Sequence, residues 1–192
     1  MRLRLETDTF ISVNHYKKYR FYNGVVTPFK TKETKDFEKV FERHIREQMV
    51  KQGWSTPPKE FLIRVDTTFI FPRTNCDANN YFKVLLDVCT QAGVWVDDSR
   101  VKENVKKVFY NSKNPKIILD IYIDEQVGVF KDTDNYYQFK KKCTGCKRYK
   151  RNCSILNGAM EGKISEGLYS LDEYESWVCS KYNPGDIDEE RK

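Results

Sequence analysis

Two stretches of this chain, without any internal repeat of sequence, each run from an apolar pattern at helical spacing through a glycine that ends it to a segment read as a strand. In the first, Phe37, Val40, Phe41, Ile45 and Met49 recur at helical spacing between Thr31 and about Gln52. Gly53 closes that segment, and residues 60–71 (EFLIRVDTTFIF) read as a buried strand. In the second, residues 77–92 (DANNYFKVLLDVCTQA) read as a helix, Gly93 closes it, and 101–110 alternate loosely through Val101, Val105, Val108 and Phe109. A strand at 2–11 precedes both stretches, and a strand at 116–124 (KIILDIYID) follows the turn at 111–115. Asn23-Gly24 adds a hairpin or turn signal to the aromatic, basic segment 16–30. The order β-α-β-α-β-β predicts an α+β fold, with two helices packed on a mixed sheet of about four strands.

A change of composition near Glu125 divides the 192 residues into an expected core, 1–125, and a small Cys-rich C-terminal extension, 126–192. Within the extension, 127–142 read as irregular and NPGDIDEERK as a frayed tail. With 14% aromatic residues, the chain is unlike a disordered one. Lys and Arg exceed Asp and Glu by 34 to 28, a net charge of +6, which suits a polyanionic partner, nucleic acid first, or an ordinary charge bias. No apolar run approaches the roughly 20 residues of a membrane helix. The start, MRLRLETDTF, is charged and has no signal-peptide core, so the expectation is an intracellular protein whose six cysteines are reduced thiols or metal ligands.

Chemistry concentrates between Phe71 and Val101. At 100° per residue, Asn80, Lys83 and Asp87 fall within about 60° of one another, with Thr90 and Gln91 beside them. Tyr81, Phe82, Leu85, Val88 and Cys89 cover the opposite side. Asp77 stands at the helix start, and Asp97-Asp98 lie one loop past its end. Asp77 with Asp97 or Asp98 can hold Mg²⁺, which takes carboxylate oxygens and keeps waters for substrate phosphates, while Lys83 offsets charge on a scissile phosphate. The same residues also read as structure: Asp77 as a helix cap, Lys83–Asp87 as an i,i+4 surface pair, Asp97-Asp98 as a turn.

The whole stretch resembles the RusA-type Holliday junction resolvases, small phage and bacterial endonucleases. Their signature is a basic residue before D-x-D-N, then x-x-K-x-x-x-D, then A-G-x-x-x-D-D-x-x-V. Here it corresponds to Arg73, Asp77, Asn80, Lys83, Asp87, Ala92-Gly93, Asp97-Asp98 and Val101. The segment Ser12-Val13-Asn14-His15-Tyr16 is similar to the family's N-terminal loop, and the resemblance covers about residues 1–125. It implies a phage- or prophage-encoded homodimer in the cytoplasm of a bacterial host, acting in recombination and repair. Such a dimer binds branched double-stranded DNA and resolves four-way junctions by paired Mg²⁺-dependent nicks. Carried over by position, Asp77 and Asp98 are the catalytic metal ligands, with Asn79 and Asp97 as further candidate ligands. Lys83 is the phosphate or catalytic lysine, and Asn80, Asp87 and Asp97 are supporting residues. Arg73, Lys17, Lys18, Lys102, Lys106 and Lys107 are the DNA-contact candidates. The second acid of D-x-D-N is Asn79 here, one negative charge fewer. A catalytically weak or inactive DNA-binding module of the same fold is therefore the alternative.

Outside the resemblance, Cys143-Thr-Gly-Cys146, Cys153 and Cys179 form a candidate metal-binding set. A C-x₂-C knuckle lets two thiolates reach one tetrahedral ion. Zn²⁺ is the first choice, an iron–sulfur cluster the alternative, and unligated thiols the plain reading. An extension this polar is expected to have little core of its own and to depend on a metal staple. Cys76 and Cys89 read as small residues in or beside the core, and His15 and His44 are given no catalytic role.

Overall fold

Leu3 and Leu5 are fully buried on alternate positions of β1 (Arg2–Thr7), the first strand of a four-stranded sheet. The computed structural model describes residues 1–174 and 176–184. It divides into two compact units: Met1–Lys59 with Ile63–Ile123, and Glu60–Leu62 with the described residues from Asp124 onward.

In the first unit α1 (Val13–Tyr16) leads into β2 (Lys17–Tyr22) and β3 (Val25–Lys30). These two strands pair antiparallel about Asn23 and Gly24, whose φ values of 48° and 76° are what a tight hairpin turn of this kind requires. The hairpin is a separate two-stranded sheet, which the reading of the six-element core did not include. The helix α2 (Lys32–Gln52) begins at Thr31, whose Oγ1 accepts the Thr34 N–H at 3.2 Å, and ends at Gly53 with φ 67°. Phe37, Phe41 and Ile45 are buried, but Val40, expected on the same face, is 58% exposed. The i, i+4 stripe that does the packing is centred about 100° from it around the helix.

The strands β4 (Phe61–Phe71), β5 (Val101–Tyr110) and β6 (Lys116–Val127) complete the sheet in the order β1-β6-β4-β5. The pair β1–β6 is antiparallel and β4–β5 parallel, so the α+β fold with a mixed four-stranded sheet is the one observed. A parallel pair needs a long crossover, and α3 (Asn79–Ala92) supplies it. The helix opens two residues later than its sequence pattern suggests, because Asp77 acts before it as a cap. Phe69 and Phe71 of β4 stack with centroids 5.1 Å apart and bury fully against α3, where Phe82 meets Phe69 edge-on at 5.6 Å.

The second unit corrects the expectation for the extension. Residues 133–144, expected to be largely irregular, form α4 (Thr133–Thr144), capped by Asp132, whose Oδ1 accepts the Asn135 N–H at 2.7 Å. After it come α5 (Ser154–Met160) and the antiparallel pair β7 (Leu168–Asp172) and β8 (Ser176–Cys179). A core is present: Phe130, Tyr136, Phe139, Ile155, Leu156, Leu168 and Trp177 bury together. Val127, Val129 and Ala159 complete the cluster, in which aromatic rings supply much of the buried area. The frayed tail expected at the C-terminus falls, beyond residue 184, outside the described residues.

Gly128 sits at φ +58°, with its α-carbon against α5, so an added Cβ would meet the Ala159 carbonyl oxygen and come within 2.8 Å of the Met160 Cα. Both opposing groups are backbone and cannot rotate away. Gly128→Ala is expected to destabilise the second unit by about 2 kcal/mol or more, measured as increased hydrogen exchange from α5. Unchanged exchange there would show that the backbone accommodates the methyl group.

Candidate active site

The peptide between β4 and α3 turns on Asp77. Its Oδ1 accepts the Asn79 N–H at 3.0 Å, its backbone oxygen accepts the Asn80 N–H at 3.2 Å, and Asn80 Nδ2 reaches its Oδ2 at 3.5 Å. The carboxylate thus caps α3 and remains exposed, with acceptor positions open to solvent. Asn79 is exposed beside it.

Along α3, Phe82, Val84, Leu85, Val88 and Cys89 face the core and lift the polar stripe outward. Cys89 is fully enclosed, and burial pushes its thiol far above the ordinary range, so it stays a neutral packing group. Lys83 Nζ lies 3.5 Å from Asp87 Oδ1, as one helical turn allows. The other oxygen of Asp87 accepts a 3.0 Å hydrogen bond from the Tyr16 hydroxyl. Tyr16 is buried, and that burial raises its pKa, so it remains a donor. Lys30, whose Nζ is 2.6 Å from Glu38 Oε1, stands 5.2 Å from the Tyr16 ring centroid. The hairpin base therefore meets the α3 stripe through Tyr16, a contact the sequence reading missed. Its only sequence signal is membership of the Ser12–Tyr16 segment.

Past α3, the loop is tied back by buried Trp95, whose Nε1 donates to Thr90 Oγ1 at 2.7 Å. A single 3-10 turn, Asp98–Arg100, follows and packs near α3. Asp97 Oδ1 accepts the Ser99 N–H at 2.9 Å and caps that turn. This backbone N–H is the main reason the Asp97 carboxyl titrates below the usual range, with the Ser99 hydroxyl and Asp98 adding to it. Asp98 is exposed.

Hard oxygen donors, Asp77, Asn79, Asp97 and Asp98, thus bracket α3, and their chemistry suits a hard divalent cation. Among the described residues, no three His, Cys, Asp or Glu side chains stand together in ligand geometry. A cation here would take one or two carboxylates from the chain and fill its remaining positions with water and substrate phosphate, the usual habit of Mg²⁺. A cleft of about 990 Å³ in this unit is lined by residues such as Asp8, Asp36, Phe41 and His44 and by none of the motif residues.

The DNA-contact candidates spread over three elements. Lys17 and Lys18 are exposed on β2, Arg73 in the loop after β4, and Lys102, Lys106 and Lys107 on the edge strand β5. Pairing skips from Val105 opposite Thr67 to Lys107 opposite Thr68, which makes Lys106 the extra residue of a bulge. A bulge with charged neighbours keeps an edge strand from adding further strands. His15 makes a 3.0 Å hydrogen bond with Ser12 Oγ, and His44 stacks on Phe41 at 6.3 Å.

No curated protein matches the sequence. The family model described as Endodeoxyribonuclease RusA matches residues 12–122, a span that takes in the Ser12–Tyr16 segment, the hairpin, both long helices and the acidic loop after α3. That family consists of endodeoxyribonucleases that act on branched DNA junctions and generally depend on a divalent metal. With more than half its length matched, including every element that carries the candidate site, this chain belongs to the RusA endodeoxyribonuclease family.

Proposed function

We propose that the protein is a Mg²⁺-dependent resolvase of four-way DNA junctions that works as a homodimer in the cytoplasm of a bacterial host and is encoded by a phage or prophage. The observation that carries the catalytic reading is the exposed stripe on α3: Asp77 at its start, Lys83 and Asp87 paired along it, and Asp97-Asp98 just past its end. Two opposed nicks are needed to resolve a junction, and a two-fold dimer presents two identical sites to the two strands.

Within each site, Asp77 and Asp98 would hold the ion, with Asn79 and Asp97 adding oxygen donors. Bound there, Mg²⁺ supplies Lewis acidity and a nucleophilic water. Lys83 is placed to neutralise a phosphate oxygen as charge develops on it. Asp87 orients Lys83, and Tyr16 orients Asp87. Lys17, Lys18, Arg73, Lys102, Lys106 and Lys107 would contact backbone phosphates, so affinity should fall steeply with salt. The test is incubation of the purified protein with a synthetic four-way junction and Mg²⁺. Symmetrically paired nicks, absent with EDTA, are the expected result; binding without nicks would refute the catalytic reading.

A second reading, a junction-binding module that cuts poorly, draws on Asn79. An amide oxygen ligates a cation without contributing charge. Asn79→Asp restores that charge at an exposed position and is expected to hold or raise the cleavage rate and to lower the Mg²⁺ concentration for half-maximal activity. A large loss of activity, measured on the same junction, would show that the site is built around the amide.

A further inference from the structure

Four of the six cysteines leave the family resemblance behind and meet in the second unit. Cys143 and Cys146 lie at the C-terminal end of α4, Cys153 immediately precedes α5, and Cys179 ends β8. All four line one cavity of about 20 Å³, and none is in a disulfide. Segments 36 residues apart in sequence therefore deliver thiols to a single point, as counted from Cys143 to Cys179.

The Asn183 N–H lies 3.4 Å from the Cys146 Sγ. An amide aimed at a sulfur orients it, as partners behind a metal ligand do. Several thiolates can share this space only if a cation joins them. Ile155 and Leu156 make part of the wall apolar, while Arg148 and Lys181 also line it. A divalent ion with four thiolates carries two net negative charges, which Arg148 partly offsets, while Lys181 also pairs with Glu166 at 3.5 Å.

We propose that Cys143, Cys146, Cys153 and Cys179 bind a single Zn²⁺ ion tetrahedrally and so tie α4, α5 and β8 together. Soft sulfur donors in a set of four select zinc over the hard cations that suit the acidic site. The shared cavity is small, about 20 Å³, which suits one ion. Among the described residues no three of these thiols stand in ligand geometry. Neutral S–H groups have no mutual attraction, so binding has to draw the sulfurs in, with release of the thiol protons to solvent and zinc–sulfur bonds of about 2.3 Å.

The test uses the full chain, purified anaerobically under reduction from zinc-supplemented cells. Elemental analysis should find about one zinc per chain. In Cys146→Ser the content should fall at least about tenfold after dialysis against a chelator, whereas Cys76→Ser, outside the cluster, should keep one ion. Should Cys146→Ser not fold, the wild-type protein decides the matter. Stripped of metal and titrated with Co²⁺, it should develop a thiolate-to-cobalt charge-transfer band with tetrahedral visible bands, saturating at one ion per chain. No metal in the purified protein, iron with inorganic sulfide in place of zinc, retention of zinc by a folded Cys146→Ser protein, or cobalt binding without a charge-transfer band would each overturn the assignment. None of these readouts depends on nuclease activity.

Discussion

Asp98→Asn is expected to lower junction cleavage by about 10²-fold or more while junction affinity stays within about twofold of wild type. The substitution preserves shape and removes only charge. The 3-10 turn that holds the residue does not depend on it, because the capping oxygen comes from Asp97, which accepts the Ser99 N–H at 2.9 Å. Asp98 is exposed, so no buried partner is orphaned either. Its loss therefore falls on the chemical step, where a ligand carboxylate counts, and not on binding, which rests on many phosphate contacts. Single-turnover cleavage and a gel-shift titration in EDTA separate the two quantities. Cleavage within a few-fold of wild type would remove Asp98 from the metal site. Asp97→Asn makes an informative contrast, since it weakens the cap of the turn and should disturb neighbouring positions as well.

What the sequence discloses here follows the reach of local rules. The stripe of Asn80, Lys83 and Asp87 was legible because one helix converts spacing into direction, and Lys83 and Asp87 do pair at 3.5 Å. The succession of the core helices and strands along the chain followed from apolar patterning and glycine stops, whereas the sheet order β1-β6-β4-β5 did not. The same arithmetic misplaced Val40, since it detects a periodic apolar position but not which flank of the helix the sheet covers. Tyr16 and Asp87 are 71 positions apart, and no periodicity links them. Nor does any pattern reveal that Trp95 ties the Asp97-Asp98 loop to Thr90. The second unit was read as having little core of its own for a related reason. Its buried rings are dispersed, Phe130 before α4, Tyr136 and Phe139 within it and Trp177 in β8, and the apolar face of α4 is narrow and flanked by Lys140, Lys141 and Lys142.

That dispersed core makes Trp177 the most sensitive residue of the second unit. It is 8% exposed, and its Nε1 donates to the Val129 carbonyl at 2.8 Å, joining β8 to the chain just after β6. Truncation to alanine removes the ring's contacts at a cost of about 3–5 kcal/mol and leaves the Val129 oxygen short of a partner at about 1–3 kcal/mol more. A single small core supplies only about 3–5 kcal/mol in total, so in metal-stripped protein Trp177→Ala should unfold the second unit outright. Limited proteolysis would then open the chain beyond about residue 124, while amides of the buried strands β1 and β4 (residues 63–71) keep their protection from exchange. A protease-resistant second unit in the metal-stripped variant would mean that its stability does not depend on this ring. Trp177→Phe separates the two contributions. It keeps most of the ring but loses the N–H, so it should weaken the unit by about 1–3 kcal/mol without abolishing its fold.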